Sequence, residues 1–172
     1  MITWQFYPKS DAIPTHLSQV VHVFEARADA IDSPAHLLRS DDVLQVVQSD
    51  LLSLGFSVET GKSSARRVHV PVLFGRNGRI EHAFAADAWN RQTATVVEIE
   101  AGRAVANYQF LKDLFEACMM HDVEYLVIAV RNIYGGGGVE SRDFEKVATF
   151  FDTLYASGRL RLPLDGVLII GY

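Results

Sequence analysis

The sequence predicts an α/β domain: a mixed β-sheet core with helices on both faces. Three observations carry that expectation. The segments "VEYLVIAV" (123–130) and "LDGVLIIGY" (164–172) are nearly continuous apolar runs, as expected of strands covered on both sides. Helical apolar spacing fills the stretches between the later strands, so residues 93–172 read as strand–helix–strand–helix–strand, which implies two crossovers. The segment "RRVHVPVLFGRNGRIEHAFAADAW" (66–89) reads as two strands joined by a turn at Asn77-Gly78, a pair that accepts the positive φ of a tight hairpin.

Taken in order, residues 15–31 place Leu17, Val20, Val21, Phe24, Ala28 and Ile31 at helical spacing, with Thr15 after Pro14 as a candidate cap. Pro34 breaks the pattern. Ser40 is the expected cap of a second helix, "DDVLQVVQSDLLSL" (41–54), with Asp41 and Asp42 in its first turn and Gly55 at its end. "FSVETG" (56–61) is a short strand, followed by the hairpin and then by "TATVVEIEA" (93–101). Gly102 marks the switch to a helix over 103–121, with Ala104, Tyr108, Leu111, Phe115 and Cys118 on one stripe. "RNIYGGGGVES" (131–141) reads as a loop, and "RDFEKVATFFDTLYAS" (142–157) as the last helix.

The chain has 172 residues, 49% of them hydrophobic and 22% charged. That suits one globular domain spanning 1–172. No apolar run reaches the roughly 18 residues of a membrane span, and "MITWQFYPKSD" lacks the pattern of a signal peptide. A cytoplasmic protein without a membrane partner is expected. The single cysteine, Cys118, falls in an apolar helical pattern and reads as a small core residue rather than a nucleophile. A net charge of −5 argues against a protein that coats nucleic acid. It leaves room for a nuclease, whose metal-holding carboxylates add negative charge. Lys62, Arg66, Arg67, Arg76 and Arg79 meanwhile cluster within 18 residues.

Glu98 and Glu100 stand one residue apart at the end of a β-branched strand. Residues i and i+2 share a face, so both carboxylates point one way, about 7 Å apart at a rise of about 3.3 Å per residue. Left buried and unpaired they repel, and one takes up a proton. A hard divalent cation such as Mg²⁺ or Mn²⁺ would resolve the conflict, because it prefers oxygen ligands. Asp87, on the preceding strand, comes near Glu98 if the two strands pair antiparallel across "NRQ". Such a set suits phosphodiester hydrolysis, in which a cation polarises the phosphate and activates a water. The plainer alternative is a solvated strand end with Arg103 and Lys112 as ion-pair partners.

Asp87 followed by Glu98-Ile99-Glu100, on consecutive strands with helix–strand–helix–strand after them, resembles the PD-(D/E)xK nuclease superfamily of restriction-endonuclease-like fold. The stretch "VVEIEAGRAVANYQFLKDL" is most similar to the branch of BglII and BamHI. The resemblance covers about residues 41–172 in element order and residues 87–100 in motif. It implies that Asp87 and Glu98 bind the metal with the Ile99 carbonyl, and that Glu100 stands where the family usually has lysine, as a ligand or a general base. Ala86 replaces the motif's proline. The resemblance further implies Mg²⁺ or Mn²⁺, a DNA substrate, a homodimer, and another acid on a preceding helix, for which Asp42, Asp50 and Glu25 are candidates. Glutamate at position 100 fits equally a member that has lost cleavage.

Arg103 and Asn107, expected one turn apart on the next helix, are candidate phosphate contacts, and Arg66 and Arg67 candidate contacts to a DNA backbone. Each pair also reads as an ordinary solvated surface. The four glycines 135–138 lack the Gly-Lys-Ser/Thr ending of a phosphate loop. The histidines show no zinc spacing, and Trp89 reads as core. The leading expectation is a metal-dependent deoxyribonuclease. Its rivals are a catalytically inactive α/β binding or oligomerisation module of the same fold, and a metal-dependent hydrolase of a small phosphorylated substrate.

Overall fold

The computed structural model of the chain describes residues 1–61, 63–102, 104–136 and 139–172. Its centre is a six-stranded mixed sheet. The strands are β1 (Thr3–Tyr7), β2 (Ser57–Val58), β5 (Ala88–Asn90), β6 (Thr95–Glu100), β7 (Tyr125–Val130) and β10 (Gly166–Gly171), in the spatial order β1-β10-β7-β6-β5-β2. β6, β7 and β10 form a parallel centre, and β1, β5 and β2 pair antiparallel at the flanks. Two further hairpins stand apart: β3 (Val68–Phe74) with β4 (Ile80–Ala86), and β8 (Tyr134–Gly136) with β9 (Val139–Ser141).

Two apolar layers cover the sheet. On one face α1 (Thr15–Ala26), the short α2 (Ala28–Ile31) and α3 (Ser40–Ser53) pack on Val97, Ile99, Val127, Ala129, Leu168 and Ile170. On the other, α4 (Gln109–Met119) and α5 (Asp143–Ser157) pack on Val96, Leu126, Ile128, Val130, Val167 and Ile169. The period-2 alternation of the strands decides which residue serves which layer. It places Glu98 and Glu100, with Val96, on the α4 side.

The buried strands, the α5 helix and the Asn77-Gly78 turn stand where the sequence puts them; Asn77 and Gly78 have φ of 61° and 71°. Several elements differ. β1 is absent from the sequence expectation: "TWQFY" becomes a strand because β10 offers it a register from Thr3↔Gly171 to Tyr7↔Val167. The expected loop 131–141 contains the β8–β9 hairpin, and Gly137 and Gly138 of its glycine run lie outside the described residues. Thr15 and Ser40 are first helical residues rather than caps. At α3 the Asp42 carboxylate instead accepts the Arg39 backbone N–H, 3.2 Å away, a capping arrangement built backwards from the first turn.

The largest correction concerns α4. It begins at Gln109, after a turn and a left-handed Tyr108 (φ 52°), rather than at residue 103. Its buried side is Phe110, Asp113, Leu114 and Ala117. Of the stripe expected to be core, Tyr108 and Phe115 are exposed, and Cys118 is half-buried. Gly102 precedes this turn with φ of 96°, and a Cβ there would fall 2.5 Å from the Tyr134 ring. Both facts require glycine. Among the described residues no helix is long and apolar enough to cross a membrane.

Candidate active site

The segment 80–90 serves two sheets. Its first part, β4, pairs with β3; its last, β5, pairs with β6 in the register Ala88↔Val97, Trp89↔Val96, Asn90↔Thr95. Asp87 is the joint between them. Its backbone carbonyl accepts the Glu59 N–H at 2.7 Å. One side-chain oxygen accepts the Ile99 N–H, also at 2.7 Å. This bond pins Asp87 against the end of β6. In a strand the N–H and C=O of one residue project to the same edge, so the Ile99 carbonyl lies on the Asp87 side too.

Sequence reasoning did not single out Asp113, and the structure brings it in. It sits on the buried side of α4 with 4% of its surface exposed. Its carboxyl is hydrogen-bonded to that of Glu100, which requires a shared proton. Its Oδ2 is buried without a hydrogen-bond partner. The signal was present in the sequence: Phe110, Asp113, Leu114 and Ala117 follow the i, i+3, i+4, i+7 pattern, so the stripe contains an acid where a core residue belongs. The Lys112 ammonium lies 3.9 Å from Asp113 Oδ1 but closer to Glu116, at 3.2 Å.

Asp87, Glu98, Glu100 and Asp113 thus form one acidic group between β5, β6 and α4, in which Asp87 and Asp113 raise the pKa of Glu98 and Glu100, and Asp87 that of Asp113. Burial pushes Asp87 up to about 6, opposed by the Ile99 N–H and assisted by the charges of Glu59 and Asp41. Burial, then Asp87 and Asp113, hold Glu98 well above the usual carboxylate range. Burial, then Asp113 and Asp87, lift Glu100 to about 8. Asp113 rises to about 7, chiefly by burial, with Lys112 working against the rise. Near neutral pH the group therefore carries protons that ordinary carboxyls would have lost. Among the described residues, no group of three or more His, Cys, Asp or Glu side chains is arranged as a metal-ion site. Asp87 gives one oxygen to Ile99, and the Glu100 and Asp113 carboxyls are turned to each other.

Among solved structures, the restriction endonuclease BglII complexed with a DNA 16-mer matches 99% of this chain and 75% of its own, with a TM-score of 0.55 and 13% identity. Free BglII matches 99% of this chain and 78% of its own, with a TM-score of 0.51 and 11% identity. The fold is similar to that of a restriction endonuclease. No family model and no curated protein sequence matches the chain.

The remaining candidates are placed as follows. Asp42 is paired with Arg39 and Asp50 with Arg27, at 3.2 and 2.7 Å. Glu25 is exposed on α1, 3.9 Å from His22. The helix acid whose charge bears on Asp87 is instead Asp41, one residue before Asp42, together with Glu59. Asp41, Asp42 and Glu59 line a cavity of about 320 Å³ with Arg39, Gln45 and Gln48. Asn107 is exposed in the turn before α4, not on the helix. Arg103 and Lys62 lie outside the described residues. Arg66 and Arg67 are exposed between β2 and β3, Arg66 within a 3-10 turn. Trp89 packs in the α4-side core, as its sequence context implied.

Proposed function

We propose that this chain is a divalent-metal-dependent endonuclease that hydrolyses phosphodiester bonds of DNA. The observation that carries the reading is the grouping of Asp87, Glu98 and Glu100, joined by Asp113, in a fold similar to that of BglII. BglII was crystallised with a DNA 16-mer, which supports DNA as the polymer here.

The donor set fits a hard cation. Every candidate ligand is an oxygen, the carboxyls repel one another, and Asp113 Oδ2 has no partner. Asp87, Glu98 and the Ile99 carbonyl would hold Mg²⁺ or Mn²⁺. Such an ion supplies charge stabilisation to the phosphate and acidity to a bound water. The protein's own residues do the rest. Without metal, burial and the neighbouring acids hold the pKa of Glu100 at about 8; a bound cation would favour its ionised form, in which it could take a proton from the attacking water. The water oxygen then bonds to phosphorus as the P–O bond opposite breaks, and the leaving oxygen takes a proton from solvent. Asp113 is a positioning residue that orients Glu100 through their shared proton. Arg66, Arg67, Arg103 and Asn107 remain candidate contacts to the DNA backbone, and a homodimer accompanies this reading.

A second reading rests on the Glu100–Asp113 hydrogen bond. As a settled proton-sharing pair, these acids would belong to a module that binds without cutting. Supercoiled plasmid separates the two. The wild-type chain should nick it in Mg²⁺ or Mn²⁺ but not in EDTA, and Glu98→Ala should abolish nicking while retaining the circular dichroism of the wild type. Intact plasmid in both metals would favour the binding module. Cleavage of a small phosphoester beside intact plasmid would instead point to the small-substrate hydrolase.

A further inference from the structure

Arg131 follows β7 and is only 5% exposed, and no step of the proposed reaction uses it. Among the described residues no carboxylate forms an ion pair with it, and its Nε has no hydrogen-bond partner. A guanidinium buried without a counter-charge is costly, and an apolar side chain of similar volume often serves the fold as well or better. Stability alone does not account for this residue. What it holds does. The guanidinium donates to the Leu38 carbonyl and is hydrogen-bonded to the Tyr172 hydroxyl. It also lies over the Tyr134 ring, 5.3 Å from the centroid. Both tyrosines touch the chain just past the acids. The Tyr172 hydroxyl donates to the Glu100 carbonyl at 3.2 Å. The Tyr134 ring stands beside Gly102, 2.5 Å from where a Cβ would fall. One buried cation therefore backs the residues on either side of Ala101.

We propose that Arg131, acting through Tyr172 and Tyr134, is a positioning residue for Glu100. The proposal rests on the nuclease reading, which gives Glu100 its task as the base. Strand geometry shows how the hold works. Successive residues of a strand direct their N–H and C=O groups to opposite edges. Ile99 therefore faces Asp87, whose carboxylate accepts its N–H at 2.7 Å. The Glu100 carbonyl faces the β7 edge, where Tyr172 reaches it from the end of β10. The last turn of β6 is pinned at both edges. Glu100 is the final residue of β6, and the chain bends away at Gly102 with φ of 96°. A pin at this point fixes the backbone from which the carboxyl projects. Arg131 sets the direction of that pin. A guanidinium can only donate, so the Tyr172 oxygen accepts from Arg131 and turns its own hydrogen to Glu100. Tyr172 packs in the α1–α3 layer, whereas Glu100 projects to the α4 side. These residues act from behind the sheet and touch no substrate.

Two measurements on the full chain test it. Backbone amide relaxation by NMR reads the hold itself in the metal-free protein. Tyr172→Phe removes only the hydroxyl, and should lower the order parameters at Ala101 and Gly102 from about 0.85 to about 0.6, with β7 and β10 unchanged. Plasmid nicking at saturating Mn²⁺ reads the consequence. The rate in Tyr172→Phe should fall about 10–100-fold, with KM and Mn²⁺ affinity unchanged. Arg131→Met should act in the same way, and the double variant should be no slower than Arg131→Met, because the two residues form one chain. Tyr155→Phe removes a buried hydroxyl that has no hydrogen-bond partner, and should match the wild type in both measurements. Rigid Ala101 and Gly102 in Tyr172→Phe, an undiminished nicking rate, or additive losses in the double variant would overturn the proposal. Should Arg131→Met fail to fold, Tyr172→Phe decides alone. A wild type that never nicks DNA would sink the nuclease reading, and the hold on Glu100 would then stand or fall by the relaxation data, which involve no cleavage.

Discussion

Replacing Asp113 with asparagine should stabilise the metal-free protein in alkali and do nothing for it in acid. The Asp113 carboxyl has a pKa of about 7 in the fold, against 3.8 for an unperturbed aspartate. A raised native pKa means that the native state holds more protons than the unfolded chain between those values, so stability falls as pH rises through that window. Three pKa units at about 1.4 kcal/mol each set a ceiling of about 4 kcal/mol on the cost of ionising Asp113 in place. Asparagine never ionises, keeps the shape, and offers an amide N–H to Glu100. We expect the variant to gain roughly 2–4 kcal/mol at pH 8.5, or about 5–15 °C in Tm for a chain of this size, and to match the wild type at pH 4. The assay is urea unfolding in EDTA across that pH range. An advantage that does not grow with pH, or a variant less stable at pH 8.5, would refute the assignment of Asp113 to a strained acidic group.

Divalent metal should act with the opposite dependence. At saturating Mg²⁺ or Mn²⁺ and pH 8, the wild type should gain about 2–3 kcal/mol in thermal unfolding, corresponding to about 100 times Kd. The gain should vanish at pH 5, where Asp87, Glu100 and Asp113 with pKa values of about 6, 8 and 7 are protonated; a gain that is equal at both pH values counts against metal held by these acids. Titration calorimetry in buffers of different ionisation enthalpy should register proton release on metal binding, and its absence would argue against the raised pKa values. Glu100→Gln should lower the nicking rate by about 10²–10⁴-fold with metal affinity kept within about tenfold; a parallel loss of metal binding would make Glu100 a ligand rather than the base. Gly102→Ala should cost about 1–3 kcal/mol, given its φ of 96° and the Tyr134 ring in the way, and unchanged urea unfolding would contradict that strain.

How far the sequence carries can be judged residue by residue. The pairing of Asp87 with Glu98 and Glu100 was legible because it rests on local rules: alternation along a strand, and a short antiparallel connection across "NRQ" (90–92). The buried strands β7 and β10 were legible for the same reason. β1 was not, because "TWQFY" becomes a strand only beside β10, more than 150 residues away, and strand preference follows the partner as much as the residues. α4 shows the limit most clearly. Its sequence contains two apolar stripes, Tyr108–Leu111–Phe115–Cys118 and Phe110–Leu114–Ala117, and periodicity alone cannot say which faces the sheet. Choosing the first hid Asp113, which belongs to the second. The acid on the preceding helix was missed as well, since the candidates were Asp42, Asp50 and Glu25 rather than Asp41. Asp41 and Asp42 both lie in the first turn of α3, but Asp42 is occupied with Arg39, and it is the charge of Asp41 that reaches Asp87.

The proposed nuclease requires the carboxylates at the end of β6 to share a cation. Crystals of the wild type soaked in Mn²⁺ at pH 8 and measured for anomalous scattering test this most directly. One strong peak is expected about 2.1 Å from oxygens of Asp87 and Glu98 and from the Ile99 carbonyl, with the Glu100–Asp113 hydrogen bond altered. Bound Mn²⁺ only elsewhere, with Asp87 still holding the Ile99 N–H and the Glu100–Asp113 bond unchanged, would contradict it and leave the acids as a buried proton-sharing group.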